Sequence, residues 1–196
     1  MDMISFHEIC GTKKNCNTAT LERVIQLAVE IAREGREGRK IGTLFVVGDE
    51  KAVLKRSRPL ILDPLFGHPE HVKKVCDSDM RETIKELAQL DGAFVISGNG
   101  VAISAARYIN ASSRRIDLPL GLGSRHVAAA SISRDTQAIS VVVSQSAIVR
   151  VFNEGRVVAE IIPEMWLFAQ EGTKIKRPWH ERTVGDVKII SEDMDE

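Results

Sequence analysis

The strongest constraint on this chain is a set of short apolar runs, each too short for a typical helix and each bounded by turn residues. Ile41-Gly42-Thr43-Leu44-Phe45-Val46-Val47, Phe94-Val95-Ile96-Ser97, Val101 to Ala106, Ala138 to Val143, Ile148 to Phe152 and Arg156 to Ile162 are rich in β-branched residues and read as strands. Gly98-Asn99-Gly100 and Asn153-Glu154-Gly155 lie between consecutive runs, where glycine supplies the positive φ of a tight turn. Strands must pair, so these runs commit the chain to a sheet. Around them lie helical patterns. Leu21, Val24, Ile25, Ala28, Ile31 and Ala32 recur at offsets of three and four, with Thr20 as the expected N-cap and Gly35 as the stop. A second helix, from about Ser78 to Gln89, turns Met80, Ile84, Leu87 and Ala88 inward, and Ser124 can cap a short third helix running through Ala128, Ala129 and Ala130. Gly48-Asp49-Glu50 reads as a hairpin turn into a short strand around Val53 and Leu54, and the three prolines and one glycine from Arg56 to Pro69 predict a long loop. Hairpin strands interleaved with three helices predict an α/β fold, a single domain with a mixed central β-sheet flanked by helices.

Length and charge narrow the function. A chain of 196 residues fits one domain and buries roughly 70% of its unfolded surface, so it needs no disulfide or metal to fold. We read residues 1–17 as an N-terminal extension, 18–163 as the domain, and 164–196 as a C-terminal extension with an acidic tail from Ser191. Lys and Arg number 27 and so do Asp and Glu, which argues against a nucleic-acid-binding surface while leaving room for a local basic pocket. Cys10, Cys16 and Cys76 are odd in number, and five residues separate the first two, which suits neither a disulfide framework nor a zinc ribbon. Asp2 stands where a secretory signal carries Lys or Arg, and no run reaches about 18 apolar residues, so the expectation is a soluble, cytoplasmic protein with no membrane partner.

Two segments could carry chemistry. Asp91-Gly92-Ala93 joins a helix to a buried strand: as a site, it offers a carboxylate beside a glycine that a ligand can approach closely, and as plain structure it is an ordinary Asp-Gly turn. Gly121-Leu122-Gly123-Ser124-Arg125-His126 feeds a helix N-terminus, where free N–H groups and the helix dipole favour anions and Arg125 and His126 add a charge and donors. It reads equally as a capped helix with a surface arginine. The Lys-Ser/Thr pair of a P-loop and the third glycine of a dinucleotide fingerprint are both absent. Ser144, Tyr108, Trp166 and Trp179 read by themselves as turn or packing residues, and His7, His68, His71 and His180 have no partner at metal-ligand spacing.

Taken in order, Asp91-Gly92-Ala93, then Gly123-Ser124-Arg125-His126 with Ala128-Ala129, then Val141-Val142-Val143-Ser144, resemble the diadenylate cyclase domain of the DisA_N type, which is marked by a DGA motif followed by a (T/S)RHR motif. The resemblance runs from about Ile41 to Ile162 and is to the archaeal-like branch, in which the second arginine is missing as it is at Val127. It implies condensation of two ATP into cyclic di-AMP and two pyrophosphates with Mn²⁺ or Mg²⁺. By resemblance Asp91 is catalytic and holds the metal. Arg125 and His126 act on the phosphates together with Gly123, Ser124 and Ser144, while Gly92, Ala93, Tyr108 and Ile109 meet the base. Gln145-Ser146 stand where many members have two glutamates, so the alternative expectation is a weakened or inactive nucleotide-binding regulatory module. The chain has one copy of each motif while the product joins two identical nucleotides, so activity is expected to require a two-fold homodimer and leaves room for larger assemblies.

Overall fold

Asn17 opens the first element. Its side-chain oxygen accepts a hydrogen bond from the Ala19 amide at 2.9 Å and caps helix α1 (Thr18–Glu34). Thr20, the expected cap, instead lies inside the first turn and donates its hydroxyl to the Gly98 carbonyl at 3.0 Å, tying the helix to a strand connection. Gly35 ends α1 as expected, with a φ of 58° and its N–H returned to the Ile31 carbonyl. The computed structural model describes residues 16–111, 116, 118 and 121–163, and the backbone of 179–184 and 187–192. Two compact units divide the chain, Met1–Pro163 and Glu164–Glu196.

In the first unit, β1 (Thr43–Val47), β3 (Ala93–Ile96), β4 (Ala102–Ile109), β5 (Ile139–Val143), β6 (Val149–Asn153) and β7 (Arg156–Ile161) fall on the apolar runs. The expected strand around Val53 is a helix, α2 (Glu50–Lys55). The reason is topological: β1 pairs parallel with β3, so the chain leaving β1 must cross over rather than fold straight back. Asp49 makes that corner in the left-handed conformation, and Val53 is fully buried in the core. The proline-rich stretch is not wholly loop either. Ser57–Pro59 form β2, on the edge of the sheet beside β4, where a proline without an N–H is tolerated. Beyond β2 the Asp63 carboxylate accepts hydrogen bonds from the Ser104 hydroxyl and the Ala105 amide, pinning the segment along β4. Helix α3 (Ser78–Leu87) is capped by Asp77, and α4 (Ser124–Asp135) is longer than expected.

The strands form one mixed sheet of order β2-β4-β3-β1-β5-β6-β7, and only the β1–β3 pair is parallel. β1, β3 and β5 are buried along their whole length, as strands covered on both faces must be. Leu44, Val46, Val95 and Val142 gather with Ala129, Ala130 and Ile132 of α4, while α1 packs against β5 and β6 without joining that cluster. Phe45 and Phe94 stack at 5.2 Å between ring centroids. In the second unit β8 (Trp179–Val184) and β9 (Val187–Glu192) pair as an antiparallel hairpin.

This topology sorts the strand ends. Thr43 pairs with Val143, Ala93 with Arg107, and Val143 with Val149. The starts of β1, β3 and β6 and the ends of β4 and β5 therefore meet at one end of the sheet.

Candidate active site

Two cavities share that end. One, of 580 Å³, is largely apolar and is lined by Leu44, Leu60, Ala93, Tyr108 and Ile109, with Asp91, Gly92 and Arg107 at its margin. The other, of 510 Å³, is polar and is lined by the α4 N-terminus, Ser144, Gln145 and Arg150. They meet at Ser124 and Arg125, which line both. A third cavity of 690 Å³ beside Asn17, Asp49 and Asn99 lies at the opposite end of the sheet and contains none of the residues singled out by motif.

Gly92 is explained by its neighbour strand. The β3–β4 register slips between the Ala93 and Val95 pairs, and Ala106 takes a φ of 51°. Gly92, with a φ of 107°, passes so close that a Cβ there would lie 2.6 Å from the Ala106 carbonyl carbon. Only glycine fits, and the tight passage leaves Asp91 projecting, with 85% of its side chain exposed. Arg125 Nη2 donates to Asp91 Oδ1 at 2.8 Å. Gly42, just before β1, gives the guanidinium room, since a Cβ there would sit 3.0 Å from Arg125 Nη1.

Helix α4 begins differently from the expectation. Gly123 occupies the N-cap and offers no side chain, so Ser124 is the first helical residue rather than the cap. The leading amides of a helix have no intrahelical partner, and here no side chain caps them, which suits an anion. His126, in the first turn, is 7% exposed and sits edge-on to Phe152. Burial, reinforced by the nearby charges of Arg150 and Arg125, holds its imidazole below the usual histidine range, so it is neutral at pH 7. Its Nδ1 is buried with no partner of hydrogen-bond geometry, and Nε2 lies 3.4 Å from Arg150 Nη1.

The other motif residues are brought to the same end. Tyr108 is half-exposed beneath the Arg58 guanidinium, 4.7 Å from its ring centroid, and Ile109 is 4% exposed in the core under the apolar cavity. Ser144 follows β5, and its hydroxyl is 2.5 Å from that of Ser146 and accepts from the Ser146 amide. His68 and His71 are exposed. Sequence reading missed Gly42, Arg107 and Arg150. Arg107 donates to the Ser57 hydroxyl and carbonyl, bracing β2 against β4 beside the apolar cavity. These three lack any local motif; their roles arise from cross-strand register.

Residues 30–157 match the family described as DisA bacterial checkpoint controller nucleotide-binding. The chain belongs to this family. Among curated relatives, it is 47% identical over 161 residues to a diadenylate cyclase of Methanocaldococcus jannaschii, covering 82% of this chain and 51% of that protein. It is 42% identical over 144 residues to a diadenylate cyclase of Haloferax volcanii, covering 73% of this chain and 52% of the relative. The chain thus spans about half the length of the curated relatives it matches. A solved structure of a DacA double mutant from Staphylococcus aureus aligns with a TM-score of 0.53 at 23% identity, over 78% of this chain and 94% of that one. A structure from Bacillus cereus, described as a hypothetical membrane spanning protein, aligns with a TM-score of 0.54 at 18% identity, over 73% and 63%. These two likenesses agree with the mixed α/β fold of the family. Among the described residues, no helix is long and apolar enough to cross a membrane.

The donor set bears on a metal. No cluster of three or more His, Cys, Asp or Glu side chains is found among the described residues. The exposed Asp91 carboxylate is a hard oxygen donor, and Mg²⁺-type ions are commonly held by one or two carboxylates plus substrate phosphates and water. The residues fit such an ion provided that the substrate completes its shell.

Proposed function

We propose that this chain is a diadenylate cyclase that joins two ATP into cyclic di-AMP, with release of two pyrophosphates. The observation that carries the reading is the junction at Ser124 and Arg125 of an apolar cavity sized for a base with a cationic cavity suited to phosphates, beside the projecting Asp91. The names of the two archaeal relatives support it.

In this reading the base enters between Leu60 and Tyr108, over Ala93, Ile109 and the Gly92 backbone. The phosphates lie against the uncapped start of α4 at Gly123, Ser124, Arg125 and His126, with Ser144 opposite. Neutral His126 accepts from Arg150 through Nε2, so its ring helps to hold that guanidinium beside the phosphates. Each bond forms between the ribose 3′-oxygen of one ATP and the α-phosphorus of the other. The bond from that phosphorus to the α–β bridging oxygen breaks, pyrophosphate leaves with the electron pair, and the hydroxyl proton passes to the Asp91 carboxylate. Asp91, together with the substrate phosphates, would hold a Mn²⁺ or Mg²⁺ ion, whose charge would offset that developing on the phosphate oxygens. Nucleotide arrival must release Arg125 from Asp91, freeing the arginine for phosphate and the carboxylate for its own work. The described residues hold one such cavity pair, so two chains face each other across a two-fold axis to bring each 3′-hydroxyl to the other α-phosphate.

Incubation with ATP and Mn²⁺ or Mg²⁺, with chromatography for cyclic di-AMP and sedimentation for the dimer, tests the reading. Product that vanishes in Asp91→Asn supports it. Binding of ATP without product makes the chain a nucleotide-binding module instead, and a strictly monomeric active preparation rules out the shared site.

A further inference from the structure

The cation that α4 lacks is supplied by a strand. Val127 stands where the resembled motif has its second arginine, and it is half-buried against the apolar cavity, so on that turn of the helix no second cation joins Arg125 on the phosphate side. The polar cavity nevertheless has a second arginine. Arg150, the second residue of β6, lines it together with Ser124, Arg125, His126 and Ser144, and only 13% of its side chain is exposed. Glu160 faces it directly in the β6–β7 register and accepts from Arg150 Nε at 2.5 Å. The Nη end of the fork is left on the cavity side, where Nη1 lies 3.4 Å from His126 Nε2. Among the described residues, no acid lines this cavity. A guanidinium carries five N–H donors, and burying it with one carboxylate at Nε and the His126 ring at Nη1 leaves most of that capacity unused, an arrangement that is costly unless an anion completes it.

We infer that Arg150 is a substrate-binding residue that donates to the terminal phosphates of the bound nucleotide, supplying from β6 the cation absent at Val127. Glu160 acts as its positioning residue, holding Nε so that the Nη pair points along the cavity. The inference rests on the nucleotide reading of the site but not on turnover.

Binding separates the two. The whole chain is titrated with Mg²⁺ and an ATP analogue whose α–β bridge is methylene, and separately with adenosine, which has the base and ribose but no phosphate. Arg150→Met is expected to weaken the analogue by about tenfold or more, the worth of a lost charge-assisted hydrogen bond, and to leave adenosine unchanged. Arg150→Lys should recover part of the loss. Arg150→Met combined with Glu160→Gln removes the stranded carboxylate and should stay weak. Unchanged analogue affinity in Arg150→Met overturns the inference. So does full recovery in the double variant, which would make Glu160 repulsion the cause, and so does an equal loss for adenosine and analogue, which would make the role structural. Wild-type chain that binds the analogue through Arg150 but forms no cyclic product refutes the cyclase and leaves Arg150 in place. Wild-type chain that does not bind the analogue refutes both.

Discussion

The protein carries two clusters of charge, and they are balanced differently. Between α1 and α3, Lys85 is ringed by Glu30 at 3.0 Å, Glu34 at 3.3 Å and Glu82 at 2.9 Å, while Arg81 pairs with Glu30 and Arg36 with Glu82 and Glu86. Burial alone would lower the Lys85 pKa, yet the hydrogen bonds and charges of these carboxylates raise it above the usual range. At the site the ratio is reversed. Arg125 and Arg150 converge beside His126 on a cavity that no acid lines among the described residues, and the two arginines' carboxylate partners, Asp91 and Glu160, are 85% and 55% exposed. Charge that holds two helices together is saturated, whereas charge suited to an incoming phosphate is left wanting. The contrast is what distinguishes a brace from a binding site when both are built from Arg, Lys and Glu.

The largest effect should come from breaking the site side. Asp91→Asn is expected to cut cyclic di-AMP formation by about 10²-fold or more, while stability changes by less than about 1 kcal/mol because the pair is exposed. Turnover and melting temperature measured on the same preparation check both halves. Gly92→Ala should act on both at once: a Cβ 2.6 Å from the Ala106 backbone at a φ of 107° costs about 2–3 kcal/mol and shifts β3 against β4, so the melting temperature and ATP affinity fall together. On the brace side, Lys85→Met should cost about 1 kcal/mol, lower the melting temperature by a few degrees and leave cyclase turnover unchanged. Loss of activity there would end the separation between the clusters.

The smallest effect is a pH dependence. Because the fold depresses the His126 pKa, its contribution to stability is full above the unfolded value of about 6.5 and is lost as pH falls below that, when the unfolded chain takes up a proton that the fold resists. Denaturant midpoints between pH 8 and pH 5 should therefore decline on the acid side, and His126→Asn should flatten that decline. A slope identical in the variant would remove His126 as its source.

Legibility in the sequence follows locality. The strands, helix α1 and the ordered triplet of motifs are readable because apolar period and turn chemistry act over a few residues. The strand expected at Val53 failed because whether β1 is followed by a hairpin or a crossover depends on β3 inserting beside it, and the loop expected from Arg56 failed because Ser57–Pro59 find their partner in β4, about fifty residues later. Thr20 looked like a cap because Thr is a good one, but Asn17 lay nearer the true start and Thr20 had a distant partner in Gly98.

By itself, then, the amino-acid sequence determined that the chain makes a mixed sheet with helices, and it marked Asp91, Gly92, Arg125 and His126 as candidates for one site, since both follow from local pattern and motif order. The tertiary structure decided which end of the sheet gathers them, why residue 92 must be glycine, and that Arg150 lines the same cavity as Arg125 and His126. Those depend on strand register, and register brings together residues that no local spacing connects.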